Sequence, residues 1–484
     1  MNQMKKILFF LLLPAFACSQ QGKEVNDRIK MVENNLAPSV IYGDTIPKWN
    51  IEERMKHNGT RGLTIAVIRN YKIEWAKGYG WADVAENRRV NTETRFQAAS
   101  ISKSINSLGV LKLAEQGKLD TGADINNYLK TWKFPYDSLS KGKKISVNNL
   151  LSHTAGLSIH GFPGYERTVA LPTVSQILNG EKPANTKAVR SLFEPGKRFQ
   201  YSGGGTTISQ LIVMDITGRK YDEYMQEEVL KPLGMTNSSY RLPTSDTANL
   251  ATGYYQNGST VTGKYHVYPE QAAAALWTTP TDLSKYIIEC QLAYEGKSSK
   301  VLSQGMMKKR LTPYIDKNAA LGVFIEDRGG IKYFNHNGGN EAFLCTSYGS
   351  LEGGNGVVIM VNGDNFQIIS ELLNSVAQVY GWKDFYKPEF KKLVVVPEDV
   401  LQLYVGNYKL MNDTLTVSFC GKELCIQQNH QPVPGYKMIF SDNNSFGVKE
   451  VPDANFSVLR DKDGKVEGLQ LKQGETSIRI AKIN

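Results

Sequence analysis

Strand-like apolar runs bracket a long helical middle in this chain, and that arrangement restricts its fold more than any other feature. Residues 63–69 and 72–76 are apolar-rich and separated by Asn70-Tyr71, which predicts a β-hairpin. From Ser100 the period changes: Ile101, Ile105, Leu108 and Leu111 recur at steps of three and four, the mark of a helix with one buried face running to Gly117. Residues 145–282 mix helical segments with turns such as Glu194-Pro195-Gly196-Lys197. Strand character returns at 321–325, 331–334, 342–348 and 356–361, and 368–380 reads as a closing helix. Strands at both ends with helices between predict an α+β domain whose single sheet is built from both ends and carries a helical insertion.

This domain is expected over residues 46–385, followed by a linker at 386–400. Short strands at 415–419, 424–427, 456–459, 466–471 and 477–480 then predict a small all-β domain over 401–484. Asp461-Lys462-Asp463-Gly464 reads as a hairpin turn, because a calcium loop needs a third acidic position and a distal Glu that are missing. The amino terminus reads as a targeting segment: Lys5 and Lys6, an apolar run at 7–13, then small residues before Cys18. Residues 1–17 are therefore expected to be a signal peptide. The run resembles a bacterial lipoprotein signal in which Cys18 is lipidated after cleavage, with Ala15 in place of the usual Leu. The alternative is an ordinary secretory signal cut near Ala17. Residues 18–45 are expected to be a polar tether with a short helix near 25–34.

Composition excludes other classes. With 41% hydrophobic and 21% charged residues over 484 positions, the chain matches ordinary folded proteins rather than disordered or coiled-coil ones. The net charge is +10, or +8 without Lys5 and Lys6, and the basic residues are dispersed among acidic ones. Nucleic-acid binders concentrate their charge, so no nucleic-acid partner is expected. Cys290, Cys345, Cys420 and Cys425 allow disulfides in an oxidising compartment. Cys420 and Cys425 flank a hairpin tip suited to a cross-strand bridge, with free buried thiols the alternative. The six histidines form no metal-binding spacing.

For chemistry, no serine lies in a G-x-S-x-G elbow, which excludes the α/β-hydrolase pattern. Ser100 and Lys103 are three apart at the start of the amphipathic helix, so they share a face and the amine can take the hydroxyl proton. That requires a lysine pKa lowered by burial or a nearby cation. Ser138/Lys141 and Ser140/Lys143 repeat the spacing, but inside a Lys- and Gly-rich loop. The helix start also supplies a dipole that favours negative charge on the serine. On spacing and context alone, a structural helix cap explains Ser100 equally well.

Phe96-Gln97-Ala98-Ala99-Ser100-Ile101-Ser102-Lys103 resembles the active-site helix of the serine β-lactamase and penicillin-binding-protein superfamily, its class C branch in particular. Leu150-Leu151-Ser152-His153-Thr154-Ala155-Gly156-Leu157, Glu194-Pro195-Gly196 with Tyr201-Ser202-Gly203, Pro232-Leu233-Gly234-Met235 and Leu276-Trp277-Thr278-Thr279-Pro280 resemble that branch in the same order, over roughly 47–382. The resemblance implies a β-lactamase/transpeptidase-like antiparallel sheet flanked by helices. It implies Ser100 as acyl-accepting nucleophile, Lys103 as its proton acceptor and Tyr201 as the phenol that passes protons to the leaving group. His336-Asn337-Gly338-Gly339 takes the place of the family's K-T-G strand, with the amides of Ser100 and Gly339 forming the oxyanion hole. No cofactor is implied. Gly203 replaces the Asn of Y-x-N, and His336 replaces a lysine that holds a substrate carboxylate. At a histidine's ordinary pKa of about 6.5, carboxylate recognition is expected to be weaker and pH-dependent. His153 invites a general-base role and Trp277 a place in the pocket lining, but their settings favour a structural histidine and a core indole, and the Gly203–Gly205 run lacks the Lys-Ser/Thr of a phosphate loop.

These readings predict an envelope-anchored serine hydrolase acting through an acyl-enzyme on a small-molecule or peptide ester or amide. The membrane contact would be an N-terminal lipid anchor, or, with the alternative signal, none in the periplasm. A D-amino-acid-directed peptidase or weak β-lactamase is the rival within the class, and a non-catalytic binding protein on the same fold the rival outside it. No partner of the carboxy-terminal domain is indicated.

Overall fold

The computed structural model describes residues 13–243, 249–410, 413–428, 435–448, 451–473 and 476–483. Most of the expected signal peptide lies outside these residues. Cys18 falls within a helix, Leu13–Glu33, and its side chain is not among those described. Among the described residues no helix is long and apolar enough to cross a membrane.

The chain divides into two compact units, residues 1–29 with 52–369 and residues 30–51 with 370–484. The first unit is built on a seven-stranded antiparallel sheet in the order Arg88–Arg89, Lys72–Asp83, Gly62–Arg69, Gly356–Val361, Phe343–Ser350, Ile331–Asn340 and Phe324–Arg328. The early hairpin and the late strands join where Leu63 faces Val361 and Ile68 faces Gly356. Gly356–Val361 is buried along its whole length, as is Gly62–Arg69 up to Ile68, because a central strand packed on both faces needs an unbroken apolar run. Asn70 and Tyr71 both have positive φ, which matches the twist of a two-residue hairpin turn.

The helices Ile101–Glu115 and Pro280–Tyr294 pack on the sheet, and Gly203–Thr217 packs against the first of them. Two of them begin on a side-chain cap. Ser202 Oγ accepts from Gly205 N–H at 3.0 Å and Thr279 Oγ1 from Asp282 N–H at 3.2 Å, while Gly218 ends the Gly203–Thr217 helix at φ +67°. The strand expected at 321–325 begins instead at Phe324. Gly322, at φ +88°, turns the chain and donates its N–H to Leu151 O at 2.8 Å, so buried Leu321 and Val323 belong to a turn.

The second unit corrects two expectations. The stretch read as a linker contains the strand Glu389–Lys391 and the helix Glu398–Gln402, and the polar tether contains the strand Val40–Tyr42. Those two strands pair in parallel, Val40 with Glu389 and Tyr42 with Lys391. Backbone groups pair them, so the polar side chains did not forecast it: Glu389 N–H donates to Ser39 O at 2.8 Å and Gly43 N–H to Lys391 O at 2.9 Å. Side chains of the Gln367–Val379 helix brace the segment, Asn374 Nδ2 donating to Ala37 O at 2.9 Å and Ser375 Oγ to Val32 O at 2.7 Å. Leu36, Ala37 and Ile41 are buried. The remainder is a closed eight-stranded antiparallel barrel running from Gly406–Leu410 to Thr476–Lys482. Closure leaves no unpaired strand edge. Cys420 and Cys425 form a disulfide across the Asp413–Cys420 and Glu423–Gln428 hairpin, whereas Cys290 and Cys345 are free and buried. The Asp461 turn is a hairpin turn, its carboxylate accepting from Asp463 and Lys465 N–H at 3.0 and 2.9 Å.

Candidate active site

Ser100 stands at the start of the Ile101–Glu115 helix, and the residues before it fix its position. Phe96–Gln97 pairs antiparallel with Trp277–Thr278. Ala98 N–H donates to Leu276 O at 2.8 Å, and Leu276 N–H donates in return to Ser102 Oγ at 3.0 Å. Ala99 then turns the chain at φ 47°, a left-handed conformation that costs an alanine about 1–2 kcal/mol. Bonds on both sides hold it there. Ile101 N–H and the Cys345 thiol both donate to Ala98 O, at 3.0 and 3.1 Å, and Ser102 N–H donates to Ala99 O at 2.9 Å. The result is a partly exposed hydroxyl at the positive end of a 15-residue helix.

Lys103, one turn on, is only 4% exposed. Its Nζ donates to Ser100 Oγ at 3.0 Å and to Ala273 O at 2.7 Å, and it lies 5.2 Å from the Tyr201 ring centre. Among the described residues no carboxylate forms an ion pair with it. Burial therefore acts unopposed and pushes the amine down to about 7. Glu270, three residues before Ala273, is fully buried with neither carboxyl oxygen hydrogen-bonded, and burial pushes it up to about 8. It is mostly uncharged at neutral pH and does not restore the lysine's charge.

Tyr201 is hydrogen-bonded with Ser100, yet burial outweighs that bond and pushes the phenol up to about 12. Near pH 8 only ~10⁻⁴ of such a phenol is ionised, while most of a lysine titrating near 7 is neutral. In that range the Lys103 amine can accept a proton and the Tyr201 phenol can donate one. The Tyr201 ring stacks on His153 at 4.2 Å and lies 4.8 Å from His160. His153 is buried, and its Nδ1 accepts from Ser202 N–H at 3.2 Å, a bond that fixes the segment after Tyr201. Burial, reinforced by Lys103, lowers the pKa of both histidines.

His336 lies in the strand Ile331–Asn340, 3% exposed. Its Nδ1 is 2.6 Å from Asn337 O, so Nδ1 carries the proton and Nε2 is left as a buried acceptor with no partner. Burial and the nearby Lys103 bring its pKa down to about 3. The expected pH-dependent cation is corrected: His336 is neutral throughout the ordinary pH range. Gly338 is placed where a Cβ would overlap the Ala98 carbonyl oxygen and the Cys345 sulfur, so the strand passes directly against the Ser100 turn. Gly339 follows on the exposed side. Gly203 lies at the first turn of its helix, its N–H bonded to His160 O at 3.0 Å and its Cα facing Phe162. It presents no side-chain group.

Ser100, Lys103, Tyr201, His336 and Gly338 thus converge. Trp277 is a core residue, edge-on to Tyr265 and Phe343 at 4.9 and 5.5 Å. Sequence reasoning placed none of Cys345, His160, Glu270 and Arg310 at the site, and counted Cys345 only among the cysteines able to pair. Arg310, fully buried, donates to Ser107 Oγ at 2.8 Å, Ser104 O at 2.9 Å and Tyr286 Oη at 2.7 Å, and so braces the helix behind Ser100. A lone arginine after two lysines gives no sign of this.

Comparison with known proteins places this geometry. The Beta-lactamase family model matches residues 49–370. "Protein flp" of Staphylococcus aureus (strain N315) is 26% identical over 260 residues, which is 52% of this chain and 50% of that protein; the chain spans about half the length of that relative. "Putative penicillin-binding protein PbpX" of Bacillus subtilis (strain 168) is 25% identical, with 74% of this chain and 81% of that one covered. Among solved structures, the octameric penicillin-binding protein homologue from Pyrococcus abyssi has a TM-score of 0.59 at 20% identity, covering 89% of this chain and 98% of that one. The D-amino acid amidase from Ochrobactrum anthropi SV3 has a TM-score of 0.57 at 18% identity, covering 74% and 98%. A match spanning the whole sheet and every segment that converges on Ser100 leaves one assignment: the chain belongs to the beta-lactamase family.

Proposed function

We propose that this protein is a serine hydrolase that cleaves an ester or amide through an acyl-enzyme in the bacterial cell envelope. The observation that carries the reading is the buried Lys103 amine, 3.0 Å from Ser100 Oγ and titrating near neutrality. In its neutral form Lys103 accepts the Ser100 proton as Oγ attacks the substrate carbonyl. The oxyanion is held by the N–H groups of Ser100 and Gly339, a type of contact whose removal costs ~10²–10³ in rate. Tyr201, protonated and hydrogen-bonded with Ser100, gives its proton to the leaving group as the C–O or C–N bond breaks and is reprotonated by the Lys103 ammonium. Water then attacks the acyl-enzyme, Lys103 takes its proton and returns it to Ser100 Oγ, and the acid is released. The envelope placement rests on the leader and Cys18.

Neutral His336 favours substrates without an anchoring carboxylate, because a carboxylate beside its lone pair would find an acceptor rather than a cation. The test compares p-nitrophenyl butyrate with a peptide ending D-Ala-D-Ala, using wild type and Ser100→Ala. Ester hydrolysis that disappears in the variant, with little D-alanine release, is the expected result. A higher kcat/KM for the peptide would contradict the ester reading and establish the D-amino-acid-directed peptidase.

A further inference from the structure

The second unit contains a cavity of about 500 Å³, none of whose lining residues belongs to the Ser100 site. That volume is in the range of small-molecule pockets, which are mostly apolar with a few placed polar groups. Its lining fits the description. Val40 and Trp49 come from the amino-terminal segment, Leu393 and Val395 from the stretch after the Glu389–Lys391 strand, and Met438 and Phe440 from the barrel. Val394 N–H donates to Phe440 O at 2.9 Å, which fixes this stretch against the barrel. Leu393 and Val395, the residues on either side, are left 65% and 92% exposed at the cavity. Single exposed apolar residues are ordinary, but two of them bordering a preformed apolar space are a binding surface.

The polar groups at this cavity are asymmetric. Lys437 is paired with Glu423, whereas Lys422, also lining the cavity, has no carboxylate partner among the described residues. One uncompensated ammonium therefore stands beside an apolar space. We propose that this cavity binds a single-chain anionic amphiphile of the fatty-acid class, its chain against Val40, Trp49 and Met438 and its carboxylate at Lys422. The proposal is independent of the hydrolase reading.

The test uses the full chain with monomeric dodecanoate and dodecanol below their micelle concentrations, read by native mass spectrometry and Trp fluorescence. Saturable one-to-one binding of dodecanoate is expected. Leu393→Asp with Val395→Asp changes two exposed side chains, so the fold is retained, as circular dichroism will verify. This variant should weaken dodecanoate binding by about tenfold or more. Lys422→Glu should weaken dodecanoate by about threefold or more while leaving dodecanol unchanged. No saturable binding, binding indifferent to these substitutions, or association with phosphatidylglycerol vesicles but not with monomeric dodecanoate would each overturn the proposal.

Discussion

Lys103 is where the proposed catalysis and stability conflict. A lysine ordinarily titrates near 10.5, and burial brings this one to about 7. Between those values the unfolded chain holds a proton that the folded chain lacks, so stability rises with pH across that window, and the cost is fully present below 7. Lys103→Met should therefore raise the melting temperature, with a larger gain at pH 6.5 than at pH 9, while abolishing hydrolysis. An equal gain at both pH values would show that Lys103 titrates normally. For wild type, kcat/KM on a neutral ester should rise through an apparent pKa of about 7 as the base loses its proton. His336→Lys should return a cation to the site and raise kcat/KM for carboxylate-bearing substrates relative to neutral esters. The Ser100–Lys103 spacing was legible in the sequence because a helix places those positions on one face. The neutral state of His336 was not, because it depends on a bond to the next carbonyl and on burial.

At the scale of elements, the site depends on how closely the Ile331–Asn340 strand approaches the Ala98–Ser100 turn. Gly338→Ala would force a methyl group into the Ala98 carbonyl and the Cys345 sulfur. A destabilisation of about 1–3 kcal/mol is expected from such overpacking, together with slower acylation. Denaturant unfolding and the rate of active-site labelling measure the two effects; unchanged labelling would mean that the strand does not position the nucleophile. The hairpin at Asn70-Tyr71 and the four late strands were readable from alternating or continuous apolar runs. The parallel pair of Val40–Tyr42 with Glu389–Lys391 was not, since its residues lie far apart in sequence and its bonds are backbone bonds. The barrel strands Gly406–Leu410, Tyr436–Asp442 and Ser445–Val448 escaped for a related reason. Gly406–Leu410 and Ser445–Val448 are short, and in Tyr436–Asp442 polar residues flank an apolar core of three.

For the whole molecule, each unit has its own core, one centred on residues such as Ile105, Leu108 and Val358, the other on Tyr408, Leu469 and Ile480. Two cores predict two calorimetric transitions. The Cys420–Cys425 bridge closes a small loop worth about 2 kcal/mol in the chain-entropy account, so Cys420→Ser with Cys425→Ser should lower one transition and leave the other in place. A single transition shifted as a whole would show that the units unfold together. The proposed hydrolysis requires an activated Ser100, which intact-mass analysis after exposure to a fluorophosphonate reads out. Wild type should gain one adduct, Lys103→Ala should gain it far more slowly, and Ser100→Ala should gain none. An adduct that persists in Ser100→Ala, or none in folded wild type, would contradict the central claim.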